Sequence, residues 1–540
     1  MGSTNGGKLA LFMVAALALF SLPTLWAGGL YLSKHEGDMI HLLQIVLRMA
    51  DGDLPHVDFM TPLGLFGFAP AAVLVSAGMG AGMAMIWSQV LLGAVLLPLA
   101  WWAAHSRMQG PVAYVFGGIV MLLCVALMQG THETNVSLSM HYNRWCWAAS
   151  FVAIAVAALP AKRSNVVADG VVVGVAMALI LMIKATYFIG FAPAVIVGLL
   201  MHKNAKAFGV ALVTGIVILA GITIFTGVEF WLAYIRDLLA VAGSEQRAGA
   251  SLPIMDVIAT PAYIPATAAL LAGVIFTRQS GSDTLGLVLL ILAPGFWYVT
   301  YQNYENEPQW LILLAIILWA ARPAGDVENR QGWNLRYLTS VTALVSAALI
   351  APTVINLAYS PFRHMQASAD EFSPFLADQP QHDDFQLFNI RVFRMDQRRA
   401  AEVNLPGGEA FSEKAKREEV TVWQGQSWAY CTTDVGFLNW YRTMAAQLQR
   451  GGYGDARILM TDILSPLSIF GDFPALKGGA PWYYGKLSGL PDAQYVLVPF
   501  CPIADDTRAA MLKHMDEIGV PVSEVQRTDQ YVLFEIDRDT

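Results

Sequence analysis

The sequence predicts a polytopic α-helical membrane protein that ends in a soluble α/β domain. Of its 540 residues, 56% are hydrophobic and only 14% are charged, against roughly 25% charged in an ordinary soluble domain. The apolar residues are gathered in blocks of about 17 to 22, close to the roughly 20 residues with which a helix crosses about 30 Å of hydrocarbon. A single water-soluble globule is therefore excluded, and several membrane spans are expected.

Twelve apolar stretches are candidate spans. The first is too long for a secretory signal and lacks the small-residue cleavage pattern that follows one, so we expect a retained first helix. In chain order the stretches cover about residues 9–32, 62–78, 83–104, 112–130, 145–160, 166–183, 186–201, 207–226, 259–276, 284–300, 309–321 and 337–355.

Basic residues orient these stretches, because loops facing the cytoplasm carry an excess of Lys and Arg. The alternate loops 33–61, 131–144, 227–258 and 301–308 then face the periplasm, together with the tail. We therefore expect a multi-pass protein of the bacterial inner membrane. The basic residues assigned to the cytoplasm are Lys8, Arg107, Lys162, Arg163, Lys203, Lys206, Arg278, Arg322, Arg330 and Arg336.

The number of crossings stays open at this point. A cytoplasmic start and a periplasmic end require an odd number of crossings, whereas the chain has an even number of apolar stretches. Either the Gly-rich segment 76–82 joins two partial spans, or one stretch between residues 62 and 104 is re-entrant, which lipid tolerates where protein covers the backbone. Eleven and thirteen crossings are the two alternatives.

The composition changes abruptly after Asn356, toward Pro, charged residues and shorter apolar runs. We expect a membrane module over residues 1–356 and a soluble periplasmic α/β domain over residues 357–540. In the tail, residues 456–460, 495–499 and 531–536 have the pattern of strands, and 506–518 that of an amphipathic helix. The net charge of −8 includes no basic cluster, so nucleic acid is not an expected partner.

Four cysteines are divided between the two parts of the chain. Cys124 and Cys146 lie in apolar stretches. Cys431 and Cys501 lie in the tail, where an oxidising periplasm would permit a bridge, although two unpaired thiols are the simpler interpretation.

Acidic residues directly follow the first apolar stretch. Glu36 and Asp38 precede a segment, residues 39–49, whose apolar side chains recur at helical spacing, and we expect this helix to lie flat on the membrane surface. A carboxylate near the apolar boundary is partly desolvated, which raises its proton affinity and suits a general base. The alternative is that both residues are solvated loop charges or an N-cap.

This arrangement resembles the polyprenyl-phosphate-dependent glycosyltransferases of the GT-C fold, particularly the lipid A aminoarabinose transferase and protein O-mannosyltransferase superfamily. The family pattern is an acidic pair after the first helix, a surface helix, a Gly-x-x-Pro-(aromatic or His)-x-Asp-(aromatic) stretch and a Pro-rich entry to the second helix. The matching positions are Glu36, Asp38, Gly52, Pro55, His56, Asp58, Phe59 and Pro62.

The resemblance implies a GT-C-type module of eleven to thirteen helices that moves a sugar from a polyprenyl phosphate to a periplasmic lipid, glycan or protein. Asp38 or Glu36 would deprotonate the acceptor hydroxyl, and His56 and Asp58 would lie at the substrate. The spacing Glu-Gly-Asp departs from the adjacent acids of the family. The identity of the base therefore stays open, with Asp38 favoured because it is nearer the surface helix.

Further polar residues stand at the expected periplasmic ends of the spans. The loop 131–144 offers Glu133 as a further acidic substrate group, His141 and Asn143 as sugar ligands and Arg144 as a phosphate ligand. The alternative for its histidines is an interfacial pair without a metal.

Lys184 separates two apolar stretches, where a charge is costly unless it snorkels or meets an anion, and the resemblance implies that it holds the lipid phosphate. Tyr304 and Glu305 lie in the short loop 301–308, whose aromatic and amide side chains suit a pyranose. An aromatic belt with polar caps is the alternative for that loop.

No cofactor is required by these residues, although a divalent metal is possible. The expected partners are a polyprenyl-phosphate-linked sugar donor, a lipid, glycan or protein acceptor, and membrane lipids. The competing function is a transporter or flippase of a lipid-linked sugar, which predicts inverted repeats and charges near the bilayer midplane. The polar residues instead gather on one side, which favours an enzyme.

Overall fold

The computed structural model describes residues 4–131, 133–244, 254–260, 263–303, 307–399 and 420–538. Helices make up the first two thirds of the chain. In order they are α1 (Gly6–Trp26), α2 (Glu36–Ala50), α3 (Ala69–Ser76), α4 (Ala81–Arg107), α5 (Pro111–Val125), α6 (His141–Ala158), α7 (Val166–Ile183), α8 (Ala185–Met201), α9 (Ala205–Thr226), α10 (Glu229–Ala242), α11 (Ile254–Ala259), α12 (Tyr263–Gln279), α13 (Asp283–Gln302), α14 (Trp310–Ala321) and α15 (Leu335–Met365).

Six of these helices, namely α1, α4, α7, α9, α13 and α15, are long and apolar enough to cross a membrane, and α5, α8 and α14 are shorter apolar helices. With α6 and α12, which pack among them, the described chain contains eleven bundle helices. The prediction of a polytopic helical protein is confirmed.

The expected stretch 62–78 is not a span. Its helix α3 has 8 residues, about 12 Å at 1.5 Å per residue, and a turn through Gly78 (φ +91°) separates it from α4. The Asp384 carboxylate of the tail accepts hydrogen bonds from the backbone N–H of Gly82 and Met83 and so caps the start of α4. The glycines of this segment are needed because Asp384 lies against Gly80 and Gly82, where a Cβ atom would collide with it.

The helix ends form two groups that alternate along the chain. On one side Trp101 donates to the Gly6 carbonyl, and Arg107 forms a buried 2.8 Å ion pair with Asp169. On the opposite side Asn356 donates to the Thr131 carbonyl. An odd number of helices therefore separates the start of α1 from the end of α15, which resolves the conflict left by twelve apolar stretches.

The described residues contain short strands in four small sheets, and all of these strands except Leu30–Leu32 belong to the tail. The main sheet of the tail consists, in spatial order, of β10 (Val522–Arg527), β11 (Tyr531–Ile536), β9 (Tyr495–Pro499) and β8 (Ile458–Met460). Strand β8 is parallel to β9, and the other neighbours are antiparallel. The helix Asp505–Glu517 lies where the sequence predicts one. The strands are β1 (Leu30–Leu32), β2 (Phe372–Pro374), β3 (Phe385–Phe388), β4 (Asp396–Arg399), β5 (Thr421–Trp423), β6 (Gln426–Trp428), β7 (Cys431–Val435), β8 (Ile458–Met460), β9 (Tyr495–Pro499), β10 (Val522–Arg527) and β11 (Tyr531–Ile536).

The tail and the beginning of the chain are joined. Strand β1 pairs in parallel with β3 of the tail, and α15 continues past residue 356 to Met365. Helix α2, expected from the sequence to be a surface helix, is buried: its side chains Met39, Ile40 and Leu43 lie in one apolar core with Tyr441 and other residues of the tail. A short helix α16 (Asn389–Phe393) contacts this region.

The tail contains a disulfide between Cys431 and Cys501, with the two Cα atoms 4.6 Å apart. The expectation of unpaired thiols at these positions was wrong. The bridge ties the first residue of β7 to Cys501, which lies two residues beyond the end of β9. Cys124 and Cys146 are free and buried.

Candidate active site

The two acidic residues of the first turn of α2 have different environments. Glu36 is fully buried, and the Arg391 guanidinium of α16 donates to both of its carboxylate oxygens, with hydrogen bonds of 2.9 to 3.1 Å. Burial raises the pKa of Glu36, and the charge of Arg391 opposes that rise. A carboxylate held by a guanidinium in this way is engaged in joining α2 to the tail.

Asp38 is partly exposed and faces the loop before α6. The hydroxyl of Ser139 donates a hydrogen bond to its Oδ2 atom, and Ser139 itself is fully buried. Because α2 begins at Glu36, Asp38 lies in the first helical turn, where the partial positive charge of the helix N-terminus favours an anion. Of the two acidic residues, Asp38 therefore has the geometry better suited to contact with a substrate.

Lys184 lies at a break between two helices. Its extended backbone (φ −156°, ψ 106°) ends α7 and precedes α8. The Nζ atom donates to the side-chain oxygens of Asn143 at 3.0 Å and Asn303 at 2.6 Å, and it lies 5.2 Å from the ring centre of Tyr142. Since Lys184 is only 5% exposed, these amides help to offset the desolvation of its charge.

The loop before α6 connects the two charged positions. Ser139, which contacts Asp38, lies four residues before Asn143, which contacts Lys184. Asn143 is in the first turn of α6, and its amide also donates to Asn303 at 3.1 Å. One short segment thus places a carboxylate and an ammonium group at the same end of the helix bundle, and we define Asp38, Ser139, Asn143, Lys184 and Asn303 as the candidate site.

The remaining predicted residues of the loop 131–144 contact other groups. Glu133 forms a 2.6 Å ion pair with Lys34, and the hydrogen bond from Lys34 lowers the pKa of Glu133. His141 donates through Nε2 to the Gly67 carbonyl at 2.9 Å. The structure thus gives Glu133 and His141 protein partners at the edge of the candidate site.

Arg144 is fully buried and donates to the backbone carbonyls of Ala126 and Met128, just beyond the end of α5. A guanidinium can satisfy several carbonyls at a helix end, which otherwise lack partners. We therefore assign Arg144 to the end of α5 rather than to a phosphate.

His56 belongs to a second buried polar group. Its Nδ1 atom donates to Asp237 of α10 at 3.0 Å, and both residues are 1% exposed. The same carboxylate oxygen accepts from the backbone N–H of Thr61 at 3.1 Å. The ring of His56 lies against Tyr234, whose hydroxyl donates to the Leu181 carbonyl in the last turn of α7. This group therefore packs beside the helix break at Lys184.

Asp58 closes a turn rather than pointing outward. Its Oδ2 atom accepts from the backbone N–H of Leu54 at 2.7 Å, and its carbonyl accepts from Gly478 of the tail. Tyr304 and Glu305, the two predicted sugar ligands of the loop 301–308, lie outside the described residues.

Several site residues were not singled out from the sequence. Ser139 and Asn303 carry no motif of their own. Asp237 could have been found, because Phe230, Tyr234 and Asp237 recur at i, i+4 and i+7 on one face of α10 and are all buried. Arg391 gives no sequence signal, since its partner Glu36 is 355 residues away.

The acidic side chains do not form a metal-ligand set within the part of the chain that the structure describes. No group of three or more His, Cys, Asp or Glu side chains could hold a metal ion there, and the Glu36 carboxylate is occupied by Arg391.

No family model and no curated protein matches the chain. Among solved structures, the archaeal oligosaccharyltransferase AglB from Archaeoglobus fulgidus, in complex with an inhibitory peptide and a dolichol-phosphate, is 10% identical and covers 90% of this chain and 69% of its own, with a TM-score of 0.40. ArnT from Cupriavidus metallidurans, bound to undecaprenyl phosphate, is 12% identical over 99% of each chain, with a TM-score of 0.38. Both TM-scores are below 0.5, so no residue is transferred from these proteins.

Proposed function

We propose that the protein is a membrane glycosyltransferase that moves a sugar from a polyprenyl phosphate to a hydroxyl of a lipid, glycan or protein. The observation that carries this proposal is the pair of opposite charges at one end of the bundle: the Asp38 carboxylate, held by Ser139, and the buried Lys184 ammonium, held by Asn143 and Asn303. A reaction that deprotonates an acceptor and releases a phosphate requires these two kinds of group.

Lys184 suits the phosphate because of its depth and because its hydrogen-bond partners Asn143 and Asn303 are neutral. It lies between two apolar helices, where the lipid part of a polyprenyl donor would stay in hydrocarbon while its phosphate reaches the helix end. Its ammonium group bonds to neutral amide oxygens, which an anionic phosphate oxygen can replace with a stronger charge-assisted hydrogen bond.

Asp38 suits the general base. It would accept the proton of the acceptor hydroxyl as the acceptor oxygen forms a bond to the anomeric carbon. The bond between that carbon and the phosphate oxygen breaks, and the electron pair leaves with the polyprenyl phosphate, whose additional negative charge Lys184 stabilises. The transfer requires no nucleotide and no redox partner. Preorganised charges such as Asp38 and Lys184 are a common means of lowering the activation barrier of a reaction in which charge develops.

We further propose that this site and the tail face the periplasm. The Cys431–Cys501 disulfide supports this placement, because such bonds persist in oxidising compartments and are rare in the cytosol. The placement also agrees with the basic residues at the opposite helix ends. A periplasmic site restricts the donor to one that needs no cytoplasmic nucleotide sugar.

The proposal is tested with purified protein in lipid nanodiscs, supplied with extracted polyprenyl-phosphate sugars and a fraction of membrane acceptors. Free polyprenyl phosphate and glycosylated acceptor are both followed by mass spectrometry. Appearance of both, in equal amounts, supports glycosyl transfer. The same protein in sealed proteoliposomes tests the alternative: movement of intact lipid-linked sugar across the bilayer, without release of polyprenyl phosphate, would support the flippase instead.

A further inference from the structure

The tail contacts α2 at Glu36, two residues before the proposed base Asp38. Arg391 of α16 donates to Glu36 through Nε and Nη2, and the closest pair of atoms is 2.8 Å apart. Glu36 is fully buried, whereas the Arg391 side chain is 24% exposed. Glu36 and Asp38 occupy the same helical turn.

The tail also packs directly on this turn. A Cβ atom at Gly37 would lie 3.5 Å from the ring of Phe437 and 3.9 Å from Leu464. These two tail side chains therefore pack closely against the backbone between Glu36 and Asp38. Beyond it, Met39 and Ile40 are buried in the core shared with the tail. From the opposite direction, Ser139 of the membrane module donates to Asp38. The first turn of α2 is therefore fixed by the tail on one side and by the bundle on the other.

We infer that Arg391 of the C-terminal domain is a positioning residue for the reaction: by binding Glu36 it neutralises one of the two acids and holds the turn that presents the other, Asp38, to the substrate. This inference rests on the proposed function. It gives the tail a part in catalysis through the position of α2, without any tail residue touching the donor.

The other charged groups around Asp38 do not replace Arg391 in this role. Lys34 is paired with Glu133. Burial lowers the pKa of His35 to about 4, so it is neutral near pH 7. His141 follows in the first turn of α6 and donates to a carbonyl. Among the described residues of the tail, Arg391 thus provides the positive charge that pairs with the first turn of α2. Its removal would leave the Glu36 carboxylate buried without this ion pair.

The test compares Arg391→Gln with Glu36→Gln/Arg391→Gln, which removes both charges and avoids an unpaired buried carboxylate. Arg394→Gln is the matched control, since Arg394 is a neighbouring tail arginine in an exposed ion pair with Asp396. We expect kcat to fall about tenfold to a hundredfold in Arg391→Gln, as a displaced reacting group produces, with the donor KM unchanged because Lys184 is not moved.

The pH profile separates positioning from a loss of folded protein. Loss of folded protein scales the profile without changing its shape. In Arg391→Gln the buried Glu36 loses the charge that opposes the rise of its pKa, so its protonation should add an ionisation step to the pH profile of kcat. Glu36→Gln/Arg391→Gln should return to one step, and Arg391→Lys should recover part of kcat because it keeps the charge without the bidentate fork.

Hydrogen exchange of the peptide that covers residues 33–50 provides a readout that needs no activity. We expect faster exchange in Arg391→Gln than in wild type or Arg394→Gln. Unchanged exchange, or a pH profile that superimposes on that of wild type after scaling, would overturn the inference. An inactive wild-type protein would count against the proposed glycosyl transfer, and the exchange data would still decide the role of Arg391.

Discussion

The Lys184 ammonium group donates a 2.6 Å hydrogen bond to the side-chain oxygen of Asn303, which lies 119 residues further along the chain. The bond joins the break between α7 and α8 to the end of α13. Asn143 of α6 bonds to both residues. Four helices thus fix the position of one charge, and this rigidity is what a phosphate-binding group needs when the donor enters from the membrane.

Lys184→Met should raise the donor KM and lower kcat/KM by roughly tenfold to a hundredfold, since a hydrogen bond to a charged group contributes about 1.5–3 kcal/mol. Kinetics with purified lipid-linked sugar measure this. Lys206→Met is the control, because Lys206 is an exposed lysine in the first turn of α9, at the other end of the bundle. Equal kinetics for wild type and Lys184→Met would show that Lys184 does not bind the donor phosphate.

Asp237→Ala should lower the thermal stability of the membrane module, because His56 Nδ1 and the Thr61 N–H would lose their buried acceptor. The expected cost is about 1–3 kcal/mol, read as a lower unfolding temperature in detergent. Asp256→Ala provides the comparison, since Asp256 of α11 is exposed. A stable Asp237→Ala protein would mean that the buried pair contributes little to the fold.

Stability should fall when the pH is lowered below neutrality, and His35 should contribute to that fall. Burial lowers its pKa from 6.5 to about 4 in the folded protein, so the unfolded chain binds more protons between these values. The contribution is fully present above pH 6.5 and is lost as the pH falls toward 4. His35→Asn, which tolerates the positive φ of 67° at this position, should flatten the dependence of unfolding temperature on pH. His514→Asn, at a half-buried position of the tail, provides the comparison.

Single cysteine substitutions test which side of the membrane each end of the helix bundle faces. Gln331→Cys lies in the loop between α14 and α15, and Asp529→Cys lies in the tail; both positions are exposed. The native cysteines give a low background, since two are buried and two are bridged. A membrane-impermeant maleimide added to intact cells should label Asp529→Cys, and Gln331→Cys only after lysis. Labelling of both in intact cells would contradict the eleven-helix arrangement.

Hydropathy was sufficient for most of the helices because lipid requires each span to satisfy its own backbone hydrogen bonds. It could not separate α1 from β1. The first apolar stretch ran to Leu32 without a polar residue after Trp26, yet Gly28 (φ +70°) ends the helix and Leu30–Leu32 joins a sheet of the tail. This pairing depends on β3, which lies more than 350 residues away. It therefore cannot be predicted from the local sequence around β1.

The site residues were predictable only in part for the same reason. Asp38, Asn143 and Lys184 were found because polar groups beside apolar stretches are conspicuous. Glu36 was grouped with Asp38 because only Gly37 separates the two acids in sequence, and only the position of Arg391 gives Glu36 a different role. The long-range partners Asn303 and Asp237 became evident from the packing of α13 and α10.

We propose Asp38 as the general base that activates the acceptor for transfer of a sugar from polyprenyl phosphate. The most direct measurement is the release of free polyprenyl phosphate and glycosylated acceptor by wild type and by Asp38→Asn, followed by mass spectrometry under identical conditions. General-base catalysis contributes roughly a hundredfold or more, so Asp38→Asn should lose at least that factor in kcat while binding polyprenyl phosphate as wild type does. Equal release by both proteins would contradict the claim.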